Sequence, residues 1–409
     1  MLRFVFSEVP EVALSRFRFV TAMGDTIAVA GLRADPADSH ALLGDIPSGL
    51  SNGAQRILWA VAASDGHATH GVVEFTLALP FAPAVLMRDT TTHPDTTSAE
   101  SADDTSMAFG GAIAGIVGRW LGFISLFLLV GAVTFRFVVI RDSSGKPDVF
   151  REIASVNAAT LGIIASAGVI LAAALKLARE SSDMPDVSMR AMMLGSLFGF
   201  TLLVQIVVPV VTVIAFWSAH RDGASEHRHA WTAALIAAAV IIISMSLGSH
   251  ASSSNHAWLA VPTDVAHIVA GSMWLGTLAV IVLVGFPSAL KTPDSRVPVT
   301  SRVAAMVNSF SPMALTCGGV VVATGVTASF MRLHAVNDLW TTNYGSWLFR
   351  KLIFVMLLFA IGAWNWKRIR PHLDKETAVA SLGRSAVWEL SLGIVVLGTT
   401  AILVALELP

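Results

Sequence analysis

The chain has 409 residues, of which 54% are hydrophobic and 13% charged, and its mean hydropathy is +0.69. That balance cannot stay in water as one globule and defines a multi-span membrane protein. A net charge of -1 gives no bias toward nucleic acid, and a single cysteine, Cys317, excludes an internal disulfide or a Cys-x-x-Cys metal site.

Residues 1–80 read as a small all-β domain. Alternating runs such as Arg16–Val20 and Val72–Leu77 are separated by turn signals at Met23-Gly24-Asp25 and Ser51-Asn52-Gly53, the pattern of a β-sandwich. The segment from Trp59 to Gly71 predicts a hairpin whose tip presents Asp65 and His67, with His70 close by. An oxygen with an imidazole suits Cu(II), although an Asp-Gly turn carrying a surface histidine has the same spacing. Residues 81–107, rich in Thr, Ser, Asp and Pro, lose all periodicity and are expected to be a disordered linker.

Residues 108–409 form the membrane part, with eight stretches of the length a bilayer requires, roughly 109–135, 154–175, 191–217, 230–248, 262–286, 304–331, 347–366 and 386–407. Basic residues concentrate after the first, third, fifth and seventh. These loops are therefore expected in the cytoplasm, with both termini outside. On that orientation His250 and His256 lie in the outer loop after the fourth stretch, and His267 lies about one turn inside the fifth. Met245 and Met273 sit slightly deeper.

Asp264 and His267, at i and i+3, share a helix face within an apolar segment, where ionisable groups are costly and mark function. Carboxylate, imidazole and thioether together suggest a metal, and the soft donors favour copper, especially Cu(I). A helix-start carboxylate with a buried histidine bonded to a neighbouring helix fits the same residues. Where Asp264 acts on the metal, it is expected to orient His267 through a hydrogen bond. His220, His227 and His229 read as a solvated cytoplasmic loop, with a copper exit site as the other reading.

Phe4-Val-Phe-Ser-Glu8, Ser64-Asp-Gly-His67, Gly71 and Glu74-Phe75 resemble the CopC domain. The membrane part resembles CopD in Ser249-His250, Asp264-Val-Ala-His267, Trp274-Leu-Gly276, Phe310-Ser311, Thr324-Gly325, Asn343-Tyr-Gly345, Lys351 and Glu389. The order is that of CopC–CopD fusions. The resemblance implies a Greek-key β-domain of the periplasm holding Cu(II) through Asp65 and His67. It also implies a helical domain moving copper, as Cu(I) or Cu(II), through the inner membrane in resistance or acquisition.

The expected partners are copper ions, the lipid bilayer and periplasmic copper chaperones, with no nucleic acid. The metal ligands expected are Asp65, His67, His250, His256, His267, Met245, Met273 and Asp264. CopC-type sites usually add an amino-terminal histidine, whereas this chain opens Met1-Leu-Arg-Phe, so a first strand, a signal peptide and that ligand are expected upstream. If the chain begins at Met1, the soluble site binds copper weakly unless His70 substitutes.

No Walker-type phosphate loop is present, and no enzymatic activity is expected. Two other classes are a membrane b-type cytochrome, which needs histidines paired at one depth, and a copper sensor or scaffold that the helices merely anchor.

Overall fold

The computed structural model describes residues 1–6, 8–21, 24–48, 50, 52–63, 68–77, 102–141, 148–184, 187–221, 228–253, 256–292, 297–333 and 335–406. Asp65 and His67 lie outside these residues, as does the linker up to residue 101. For His250 only the backbone is described. The chain divides into two compact units. One comprises Met1–Ala114, Arg179–Phe200 and Gly248–Asn255, and the other Gly115–Ala178, Thr201–Leu247 and His256–Pro409.

In the first unit, seven strands make two antiparallel sheets: β1 (Leu2–Val5), β2 (Arg16–Val20), β3 (Thr26–Ala28), β4 (Arg33–Asp35), β5 (Asp38–Gly44), β6 (Gly53–Ala62) and β7 (Ala68–Leu77). Their orders are β1-β5-β4 and β3-β2-β6-β7. Alternation explains the core. Phe17 and Phe19 of β2 and Ile57 and Val61 of β6 point inward and meet Leu42 of β5. Phe4 stacks on Phe17 at 4.0 Å between ring centroids, and Phe19 meets Phe75 edge-on at 6.1 Å.

The β2–β3 turn places Gly24 at φ 88°, where only glycine is unstrained. In the β6–β7 hairpin Gly71 lies opposite Trp59, and a Cβ there would come within 2.7 Å of the indole. His70 pairs with Ala60 and is exposed on β7. Beside the sandwich, the short helix Met189–Gly195 brings Gly195 against Ala13, and the Leu197 amide donates to the Glu11 carboxylate at 3.0 Å. Burial of Glu11 raises its pKa, partly offset by that hydrogen bond.

Among the described residues, eight apolar helices are long enough to cross a membrane: Ile113–Val139, Val149–Asp183, Leu197–Arg221, Arg228–Leu247, Ala257–Lys291, Val299–Arg332, Asn343–His372 and Glu376–Leu403, hereafter spans one to eight. The helix leading into span one begins at Ala102, so residues 102–107, expected within the linker, are helical. Span five is the most buried of the eight and forms the axis of the second unit. It crosses span one where Gly131 meets the Gly276 backbone and Gly276 meets the Phe127 carbonyl. A side chain at either glycine would separate the helices. Two π-helical turns, Ser272–Gly276 and Ile281–Gly285, interrupt span five and rotate its lower faces.

Candidate functional site

Span five begins at Ala257, five residues before the expected start. His267 is therefore ten residues along the helix, about 15 Å from its first residue, rather than one turn inside. Among the described histidines, His267 is the one placed within a span and not at or next to its end. A haem held between two histidines at one depth therefore has no pair among the described residues.

The His267 ring meets span six. Its Nδ1 lies 2.9 Å from the Thr324 hydroxyl, and the Val321 carbonyl is a second neighbour. Thr324 Oγ1 itself donates to the Val320 carbonyl at 2.6 Å, which occupies its one hydrogen. The Thr324 oxygen therefore accepts from Nδ1–H, and Nε2 keeps its lone pair. Gly325 leaves room for the ring: a Cβ there would stand 3.7 Å from Cε1. The partner that orients His267 is thus Thr324, where the sequence pointed to Asp264.

Asp264 turns to other groups. Its carboxyl meets the Ser246 side chain of span four, and Arg332 and Lys351 act on it electrostatically from spans six and seven. The same two cations act on His267. Arg332 is held in place by donating to the Tyr344 hydroxyl at 3.2 Å. Four spans therefore contribute to one polar centre: Ser246, Asp264 and His267, Thr324 and Arg332, and Tyr344 and Lys351. Tyr344 and Lys351 were visible in the sequence as parts of a pattern, without a role. Thr324 was noted only as part of a Thr-Gly pair, and nothing in the sequence marked Ser246 or Arg332.

The other expected donors are spread along the helices. His256 is exposed and precedes Ala257, eleven residues and about 16 Å of helix from His267, too far for one coordination sphere. Met245 is half-buried and packs into the main apolar core beside Ser246. Met273, six residues beyond His267, is half-buried between two apolar clusters, while its neighbour Trp274 is buried against Phe359 at 5.0 Å between ring centroids.

Among the described residues no three His, Cys, Asp or Glu side chains gather as a metal-holding group. A metal passing this point must take thioether, water or backbone donors beside one imidazole. Near the other end of the bundle, Glu389 of span eight is buried and accepts from the Asn365 amide at 3.1 Å, and Ser385 donates to the Asn365 carbonyl oxygen at 2.6 Å. Its partner is thus the Asn365 side-chain amide. His220, at the end of span three, sits 3.2 Å from the Thr160 hydroxyl.

A two-sheet β-domain followed, among the described residues, by eight apolar helices that hold a half-buried imidazole between them defines a multi-pass membrane protein with an appended β-domain. Three family descriptions match in chain order: CopC domain over residues 1–78, Copper resistance protein D-like, N-terminal domain over 110–261, and Copper resistance protein D over 304–403. The chain belongs to the CopC/CopD fusion family of copper resistance proteins. It is similar to Copper transport protein CutJ of Bacillus subtilis (strain 168), with 22% identity over 411 residues, covering 99% of this chain and 70% of that protein. No solved structure gives a significant match. Asp264 and His267 fall between the two membrane matches, in residues 262–303.

Proposed function

We propose that this protein carries copper across the inner membrane, with the β-domain and both termini on the extracytoplasmic face. The observation that carries this reading is His267: a membrane-embedded imidazole whose Nδ1–H is committed to Thr324, so that Nε2 is offered as a ligand. Family membership and the name of the Bacillus relative support copper as the cargo. The alternation of basic loops supports the orientation. Asp264 balances charge beside His267, and Met245 and Met273 supply soft donors before and after it along the route. Asp65 and His67 collect Cu(II) outside. His250 and His256 guide the ion at the outer mouth, and periplasmic chaperones deliver it.

Full-length protein reconstituted in proteoliposomes tests this. Isotopic copper uptake is expected from the unaltered chain and is expected to fall at least tenfold in His267→Ala. Uptake by His267→Ala equal to that of the unaltered protein, with both correctly folded, would reject the route.

A further inference from the structure

A groove of about 510 Å³ between spans five and six, open along the exposed flank of span six, is lined by Met273, Met313 and Cys317, together with Ala266 and Ala270. Met313 and Cys317 stand four residues apart on span six and so share one face. Val320 and Thr324 continue that face upward to the hydroxyl that holds His267. On span five, Met273 lies six residues below His267, about 9 Å of helix. The groove thus follows the same two helices that build the site, about one to two turns beyond the imidazole.

From this geometry we propose that Met273, Met313 and Cys317 form a second binding site, specific for a soft monovalent metal ion, which makes cuprous copper the transported form. The inference rests on the copper-transport reading and adds to it the oxidation state and the next stop on the route; Cu(II) held by the β-domain first takes one electron from an external thiol reductant, two Cu(II) and two thiols giving two Cu(I), one disulfide and two protons.

The lining excludes hard cations. Thr316 brings a single hydroxyl oxygen to the wall. Magnesium and calcium need several oxygen ligands, whereas thiolate and thioether donors select Cu(I). Ion charge points the same way. The desolvation cost of an ion grows as the square of its charge, so Cu(II) costs about four times as much as Cu(I) to bring into the same apolar space. Cys317 bound as the thiolate, its proton released to water, makes the Cu(I) centre neutral overall.

The small side chains of Ala266 and Ala270 deepen the groove, and Met273, Met313 and the chain's one cysteine line it, with Cys317 only 7% exposed.

Because Cys317 is the only cysteine, the unaltered protein carries its own reporter. In purified full-length protein in nanodiscs, alkylation of Cys317 by a small membrane-permeant thiol reagent is measured with and without Cu(I), or with Ag(I) as a redox-inert substitute. At least tenfold slower reaction with either ion is expected. An unchanged rate overturns the site, and so does a thiol that resists the reagent in metal-free protein, since the groove must admit a ligand.

Anaerobic titration against a chromophoric Cu(I) chelator provides the second measurement. Met313→Leu/Cys317→Ser, which keeps volume, is expected to lose one Cu(I) equivalent while His267→Ala retains it. Metal protection without copper uptake by the unaltered protein would leave the sulfur site standing and defeat the transport reading. Unchanged uptake by Met313→Leu/Cys317→Ser would do the reverse.

Discussion

Replacing Thr324 by valine separates an orienting role from a packing role at His267. The β-branched shape and nearly all the volume are kept, and only the hydroxyl that accepts from Nδ1–H at 2.9 Å is lost. The Val320 carbonyl that the hydroxyl served sits in the span-six helix, so the imidazole bears most of the loss. An unpaired buried N–H costs about 1–3 kcal/mol, and the nearby Val321 carbonyl offers a partial substitute, which places the cost near about 1–2 kcal/mol.

At 1.4 kcal/mol per factor of ten, that is about 5–30-fold in affinity for a metal at Nε2, overlapping the lower part of the roughly 10–100-fold usual for partners that orient a ligating histidine. The assay is a competitive Cu(I) titration of the purified protein beside initial uptake rates in proteoliposomes. Thr324→Ser keeps the acceptor and is expected to restore both. Affinity and uptake within twofold of the unaltered protein in Thr324→Val, alongside a defective His267→Ala, would show that the hydrogen bond does not set the ring's ligand nitrogen.

Removing one member of a charged group inside the bundle leaves the others uncompensated. Asp264→Asn, which leaves Arg332 and Lys351 facing each other, is expected to lower stability by about 3 kcal/mol, and adding Lys351→Met to recover part of that loss, read as thermal unfolding midpoints in detergent. At the β-domain, Glu11 has a raised pKa, so the folded form holds its proton more tightly than the unfolded chain. The stabilisation is present in full below the ordinary value of 4.5 and is lost as pH rises through the raised value. Hydrogen exchange in residues 189–197, corrected for intrinsic rates, is expected to slow on acidification, and Glu11→Gln to abolish that dependence.

The fold was legible because its signals are local. Strand β2 has the bounds that alternation predicts, Arg16–Val20, and eight apolar stretches appear as eight helices. At the centre, Asp264 and His267 stood out because ionisable groups are rare at that depth. Their partners did not. A threonine in an apolar helix normally bonds its own i−4 carbonyl, as Thr324 does with Val320, and so looks inert in sequence. That the same oxygen also receives Nδ1–H depends on how spans five and six are rotated against each other. The π-turn at Ser272–Gly276 adds a further rotation that a 3.6-residue period does not predict.

The polar centre also constrains what can pass it. Asp264 offers one negative charge against the two positive charges of Arg332 and Lys351, so a cation arriving at His267 meets an environment already positive. Two unit charges about 8 Å apart at an effective dielectric of 20 repel by about 2 kcal/mol, and a divalent ion doubles that cost. A bare Cu(II) ion is therefore poorly suited to the passage. A monovalent ion meets half that repulsion, and one thiolate in the sulfur-lined groove below neutralises it. On this account Arg332 and Lys351 serve selectivity: they weigh twice as heavily on the divalent ions that the outer mouth admits as on the monovalent ion.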